Sequence, residues 1–144
     1  MAVRIANQAK PGSLLDKRSR SKRVRPVAPG QRKPREKDTV YLELVRCLSC
    51  LRCGRWPVQA AHVRTSADGE PPVGGGRKPD DSRVLPLCAW CHTDASDAQH
   101  RVGEREFYGE LGIDPLALAK KLYAAKPDVG AMRMVLHKAR RRFS

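Results

Sequence analysis

Large apolar side chains are scarce in the opening stretch of the chain and become regular only after residue 38. Past Leu15 the segment is polar and basic, densest at KRSRSKRVRP. Such a stretch cannot bury enough surface to offset the entropy lost on ordering, so a disordered basic arm is expected over residues 1–38. From Asp38 the pattern changes. DTVYLELVRCL carries Val40, Leu42, Leu44, Val45 and Leu48, a run that fits a short helix or a short strand. Val58–Val63 reads as a strand. SRVLPLC reads as a second strand-like run that ends at Cys88. Between them SADGEPPVGGGRKPDD has no periodicity and is expected as a long loop, of the kind that carries function.

Beyond Cys88 the apolar positions recur at helical spacing. Ser96 and Asp97 are expected to cap a helix over 98–111, with Phe107 and Leu111 on one face and Gly112 as its stop. Asp114-Pro115 opens a second helix, carrying Leu116, Leu118, Ala119, Leu122 and Tyr123 and ended by Pro127. Asp128 caps a last helix with Met132, Val135 and Leu136. Its basic end, HKARRRF, suits a helix C-terminus as well as it suits a polyanion. These elements describe an α+β chain: a basic arm over 1–38 and one domain over 39–144.

Composition sharpens this picture in two ways. Aromatic residues make up only 5% of the chain, so the core is modest, and a small core needs a covalent or metal clip. Lys and Arg number 29 against 15 acids, a net charge of +14. That excess favours a polyanionic partner, most often nucleic acid. No run of about 18 apolar residues occurs, so no membrane span is expected. MAVRIANQAKPG lacks the apolar middle of a secretory signal, so the expected compartment is the reducing cytoplasm.

Five cysteines occur in that setting. Two C-x-x-C pairs, Cys50 with Cys53 and Cys88 with Cys91, have the spacing at which thiolates converge on one tetrahedral ion, and they predict a structural zinc. Cys47 with Cys50 is a rival pairing. Gly54 favours Cys50 with Cys53, because a knuckle must turn tightly around its sulfurs. Cys47 is then either a buried, apolar-like residue or a spare thiol.

Three of the four histidines gather around the clip. His62 follows the first knuckle, His92 touches the second, and His100 comes eight residues later. His137 sits among the basic residues of the last helix and needs no special role. If residues 91–100 formed one helix, His92 and His100 would lie about 12 Å apart and could not share an ion. A turn through Thr93–Asp97 would bring them to one site. The run Thr-Asp-Ala-Ser-Asp favours the turn, since Asp and Ser bond to nearby backbone.

The full pattern QAAHVR, GGGRKPDD, LPLCAWCH and DAQHRVGEREF resembles the HNH nucleases of the ββα-metal kind. Within them it is similar to a phage and prophage branch that includes prophage HNH-like proteins and a recombination-enhancing nuclease. The resemblance spans roughly residues 41–115. It implies a small zinc-clipped ββα-metal core, to which helices over 115–143 are added. It implies that His62 is the general base of a DNA endonuclease in a bacterial host cytoplasm. It further implies a divalent ion, Mg2+ or another, held by His92 and His100, with Asp81 either joining the ligands or orienting the base. Arg64 and Lys78 would grip phosphates of the DNA. Two positions depart from the family: Ala61 stands directly before the base, and Ser96 stands four residues after His92, where many members carry ligands. The alternative reading is a non-catalytic, zinc-containing DNA-binding or recombination accessory protein.

Overall fold

The computed structural model describes residues 34–65 and 77–141, and residues 1–33 of the expected basic arm and most of the Gly-rich loop lie outside the described residues. The ambiguous run after Asp38 is a helix, α1 (Thr39–Arg46). The Asp38 side chain accepts the Tyr41 N–H at 2.9 Å, and this cap closes the first turn. Tyr41 and Val45, four apart, are the buried residues of α1, while Val40 is 70% exposed. Burial thus follows the helical period and not the alternation of a strand.

Strands β1 (Gln59–His62) and β2 (Val84–Leu87) pair antiparallel, with Gln59 opposite Leu87 and His62 opposite Val84. Every residue of β2 is buried. Both α1 and the later helix α4 (Pro115–Ala124) pack on it. Tyr41, Val45, Leu51, Leu85, Leu122 and Met132 are among the largest members of a single apolar cluster. The last helix, α5 (Val129–Arg140), packs on α4 and contributes Met132 and Leu136. The expected caps hold at both helices. Asp114 accepts from the Leu116 and Ala117 N–H groups, and Asp128 accepts from Ala131 N–H.

The helix expected over 98–111 is two helices. These are α2 (Gln99–Val102) and α3 (Glu104–Glu110), separated by Gly103 at φ +93°, a value that L side chains rarely adopt. Ser96 and Asp97 do not cap it. Ala98, in extended conformation, precedes α2 with no side-chain cap, and the Asp97 carboxylate turns instead to Arg52. Pro34–Asp38 already belongs with the folded unit. Glu36 N–H donates to Asp80 Oδ1, Asp81 N–H donates to the Glu36 carbonyl, and Asp38 N–H donates to Asp81 Oδ2.

Among the described residues the chain is therefore a small α+β fold of five α-helices and one two-stranded antiparallel sheet. None of these helices is long and apolar enough to cross a membrane.

Candidate metal centre and histidine site

Cys50, Cys53, Cys88 and Cys91 form one cluster, with their Sγ atoms all within 4.8 Å of one another. None of the five cysteines is in a disulfide. Four thiolates around one zinc at about 2.3 Å would sit about 3.8 Å apart. The Cys53–Cys88 separation is 3.5 Å, so the cluster fits such an ion. Two elements supply the ligands. The first knuckle follows α1: Gly54 N–H donates to the Cys50 carbonyl, with Gly54 at φ +73°, and Cys50 N–H donates to the Arg55 carbonyl. The second opens directly from the end of β2. Leu51 N–H donates to the Pro86 carbonyl at 2.8 Å and ties the first knuckle to that strand.

The chemistry of the donors points the same way. Burial pushes the Cys50 thiol up, against the pull of the backbone N–H groups of Cys53, Cys88 and Arg52. Burial likewise pushes Cys91 up, and the neighbouring sulfurs add to it. A bound cation is what makes four converging sulfurs favourable as thiolates. The four cysteines can hold a metal such as zinc. Cys47 is exposed and stands outside the cluster, capping the end of α1 with its N–H. It is the spare thiol.

His92 and His100 meet. Their Nε2 atoms are 3.0 Å apart. After Cys88 the chain makes a π-helical turn, Trp90–Asp94, closed by Ala95 N–H to the Trp90 carbonyl. The Ala98 N–H donates to the Ala95 carbonyl at 3.1 Å and closes a turn that reverses the path before α2 begins. The turn expected through Thr93–Asp97 is therefore present, shifted slightly toward the C-terminus. His92 Nδ1 lies 2.6 Å from Gln59 Oε1. An amide oxygen can only accept, so Nδ1 carries the proton and Nε2 offers its lone pair toward His100. Burial lowers the His92 pKa, and the charges of His100 and His62 lower it further against the pull of Asp94. Two imidazole nitrogens bound to one ion at about 2.1 Å lie about 3.0–3.4 Å apart. The pair matches that span, and an oxygen acceptor behind a ligating histidine is the usual support for such a ring. Among the described residues no third His, Cys, Asp or Glu joins the two in a cluster of ligand atoms.

His62 ends β1, and its Nε2 stands 3.0 Å from Asp81 Oδ1. Asp81 is 1% exposed. Both of its oxygens are engaged: Oδ1 by His62 and Arg35, Oδ2 by the Asp38 N–H. Asp81 is therefore held against His62, and among the described residues it forms no ligand cluster with His92 and His100. With Nε2 donating to the carboxylate, the lone pair of His62 is on Nδ1.

Arg64 and Lys78 are both exposed. The Arg64 backbone is fixed by Glu104, a residue that nothing in its local sequence singles out. Glu104, at the start of α3, accepts from the N–H groups of Arg64 and Thr65 and from the Thr65 hydroxyl. Gln59, Arg35 and Arg52 were also not among the expected site residues. Nothing local marks Gln59 or Arg35, because each acts on a partner at least 27 positions away. Of the two departures, Ala61 is fully buried in the core and Ser96 is exposed.

Comparison with family models, with curated proteins and with solved structures gives no match to this chain.

Proposed function

We propose that this protein is a metal-dependent DNA endonuclease of the HNH kind, with zinc in the four-cysteine cluster as a structural clip. The observation that supports it most is the facing pair of His92 and His100, 3.0 Å apart, with Gln59 holding the His92 ring. In this reading the pair holds a divalent ion such as Mg2+. His62 takes a proton from water at Nδ1, while Asp81 fixes its ring from the other side. When bound, the ion polarises the scissile phosphate and stabilises the leaving oxygen. Arg64 and Lys78 contact DNA phosphates, as their exposure and charge allow. The +14 charge of the chain favours the same partner.

The test is a plasmid assay in Mg2+ or Mn2+. Wild type converts supercoiled DNA to nicked or linear forms, and His62→Ala loses most of that activity while melting like wild type. Equal cutting by the two proteins would remove His62 as the base.

One observation favours the second reading, a zinc-containing DNA-binding or recombination accessory protein without catalysis. The histidine pair has no third ligand among the described residues. This reading expects steeply salt-dependent DNA binding, one tightly held metal per chain, and no cutting at millimolar Mg2+ or Mn2+.

A further inference from the structure

One guanidinium lies against the His62–Asp81 dyad and has no part in the proton transfer proposed for His62. Arg35 Nη2 ion-pairs with Asp81 Oδ1 and stands 3.5 Å from His62 Nε2. Arg35 and His62 thus converge on the same carboxylate oxygen. Nε2 cannot both donate to the carboxylate and accept from the guanidinium. The 3.0 Å contact to an anion is the stronger one, so the ring proton sits on Nε2 and points at Asp81. Arg35 then approaches the ring as a charge and not as a hydrogen-bond donor.

The Asp81 side chain is 2% exposed, and a buried carboxylate requires a counter-charge. Two neighbours could supply it. Arg35 is charged at every accessible pH. His62 supplies it only by taking a proton, and that disables it as a base. We propose that Arg35 is a positioning residue of this site: as the permanent counter-charge of Asp81, it holds the carboxylate against Nε2 and leaves His62 neutral. The inference rests on the reading of His62 as the base.

The surroundings agree. Burial raises the Asp81 pKa, but Arg35, then His62 and the Asp38 N–H, outweigh it and hold the carboxyl below the usual range. The charged groups on the neighbouring elements are engaged elsewhere. Arg83, next to β2, donates to the Thr65 carbonyl, and Asp80 accepts the Glu36 N–H. His92, across in the π turn, carries the same sign of charge when protonated. Arg35 is held in place through its own segment, because the backbone of Glu36 and Asp38 is bonded to Asp80 and Asp81.

The experiment uses the full chain as wild type, R35Q, R35K and the double variant R35Q/D81N. Two-bond 1H–15N NMR at pH 7, without Mg2+, reads which nitrogens of His62 carry protons. Plasmid nicking with Mg2+ gives the pH–rate profile. In wild type and R35K the ring carries one proton, on Nε2. In R35Q it carries two, and the nicking rate reaches half its plateau at a pH about one unit higher. The double variant returns to a single proton, since the orphaned carboxylate is gone. An R35Q ring with the wild-type proton pattern overturns the proposal. The NMR result needs no cleavage. A wild type that cuts nothing, beside an R35Q ring with two protons, removes the nuclease reading and leaves the role of Arg35 standing. If R35Q does not fold, R35M is read in its place: two protons on its ring uphold the proposal and the wild-type proton pattern overturns it.

Discussion

His92 and His100 are eight residues apart in the chain, yet their Nε2 atoms are 3.0 Å apart. A continuous helix would hold them at about 12 Å. The difference comes from a turn between the π turn and α2, closed by the Ala98 N–H donating to the Ala95 carbonyl at 3.1 Å. The reversal is pinned from outside. Arg52, inside the first knuckle, pairs with the Asp97 carboxylate at 2.5 Å and donates to the Asp97 carbonyl at 3.3 Å. The ion pair is thus one tie between the first knuckle and the turn that brings the two histidines together.

Gln59→Leu should weaken the histidine pair without disturbing the cysteines. It removes the acceptor that keeps the proton on His92 Nδ1. Loss of such support lowers metal affinity about 10–100-fold. Mn2+ titration followed by electron paramagnetic resonance would measure it, with zinc content as the control. Unchanged Mn2+ affinity would show that Gln59 does not set the ring.

Asp97→Ala should separate stability from binding. The ion pair with Arg52 is exposed on the Asp97 side, so the energy its removal costs is small. The turn loses its anchor, and Mn2+ binding should fall by more than that energy implies. Urea melts and the same titration give both numbers. A proportionate fall in the two would mean that the turn holds itself.

Removing the metal from the cysteine cluster should unfold the knuckles. The two pairs are held together by the strand β2 and by whatever ion they bind. Purified protein should contain one zinc per chain. Strong chelation, or Cys91→Ser, should abolish that equivalent and lower the melting temperature well beyond the effect of Cys47→Ser, since Cys47 is exposed and outside the cluster. Equal effects of the two serine variants would contradict the assignment of ligands.

Arg140→Gln should loosen the first knuckle from the far end of the chain. Arg140 donates to the carbonyls of Leu51, Ser49 and Cys50 and to the Ser49 hydroxyl. Bonds from a charged donor to part-buried carbonyls contribute about 1.5–3 kcal/mol in such settings. Denaturant melts should show a loss of about that size, and zinc should transfer faster to a chelator. An Arg141→Gln control, at an exposed position, should do neither.

Lys126→Met tests the tie between α1 and α4. The Lys126 hydrogen bond, then the Tyr41 N–H, hold the Asp38 carboxyl below its ordinary range. A depressed carboxyl contributes stability above its unfolded pKa, near 4, and loses it as pH falls through the lower folded value. The variant should therefore be less stable than wild type at pH 6. The two should converge as the medium is acidified through that lowered folded value. A gap that persists in acid would assign the effect to packing of the Lys126 stem on Tyr123, over which Nζ lies at 3.6 Å from the ring centre.

Much of the fold was legible because it is locally coded. The helix starts at Asp114 and Asp128 bond to N–H groups two or three residues on, and the strands read as apolar runs. The knuckles were equally plain, since C-x-x-C and Gly54 act within a few residues. The break of the expected helix at Gly103 was not. Whether one glycine within a helical pattern is tolerated depends on the tertiary partners of its neighbours, and here Glu104 is drawn to the end of β1.

The sequence by itself determined the ligand types and their local geometry: two thiol pairs, three histidines near them, and a turn-forming run between two of those histidines. Tertiary structure decided what each group does. Asp81 is drawn to Arg35, His62 and the Asp38 N–H, which together engage both of its oxygens. Asp97 became a clamp on the knuckle and not a helix cap, because Arg52 reaches it from 45 positions away. In both cases the partner lies far along the chain. A carboxylate is drawn to whichever cation or N–H group the packed core leaves beside it, and that neighbour is set by packing, not by sequence distance.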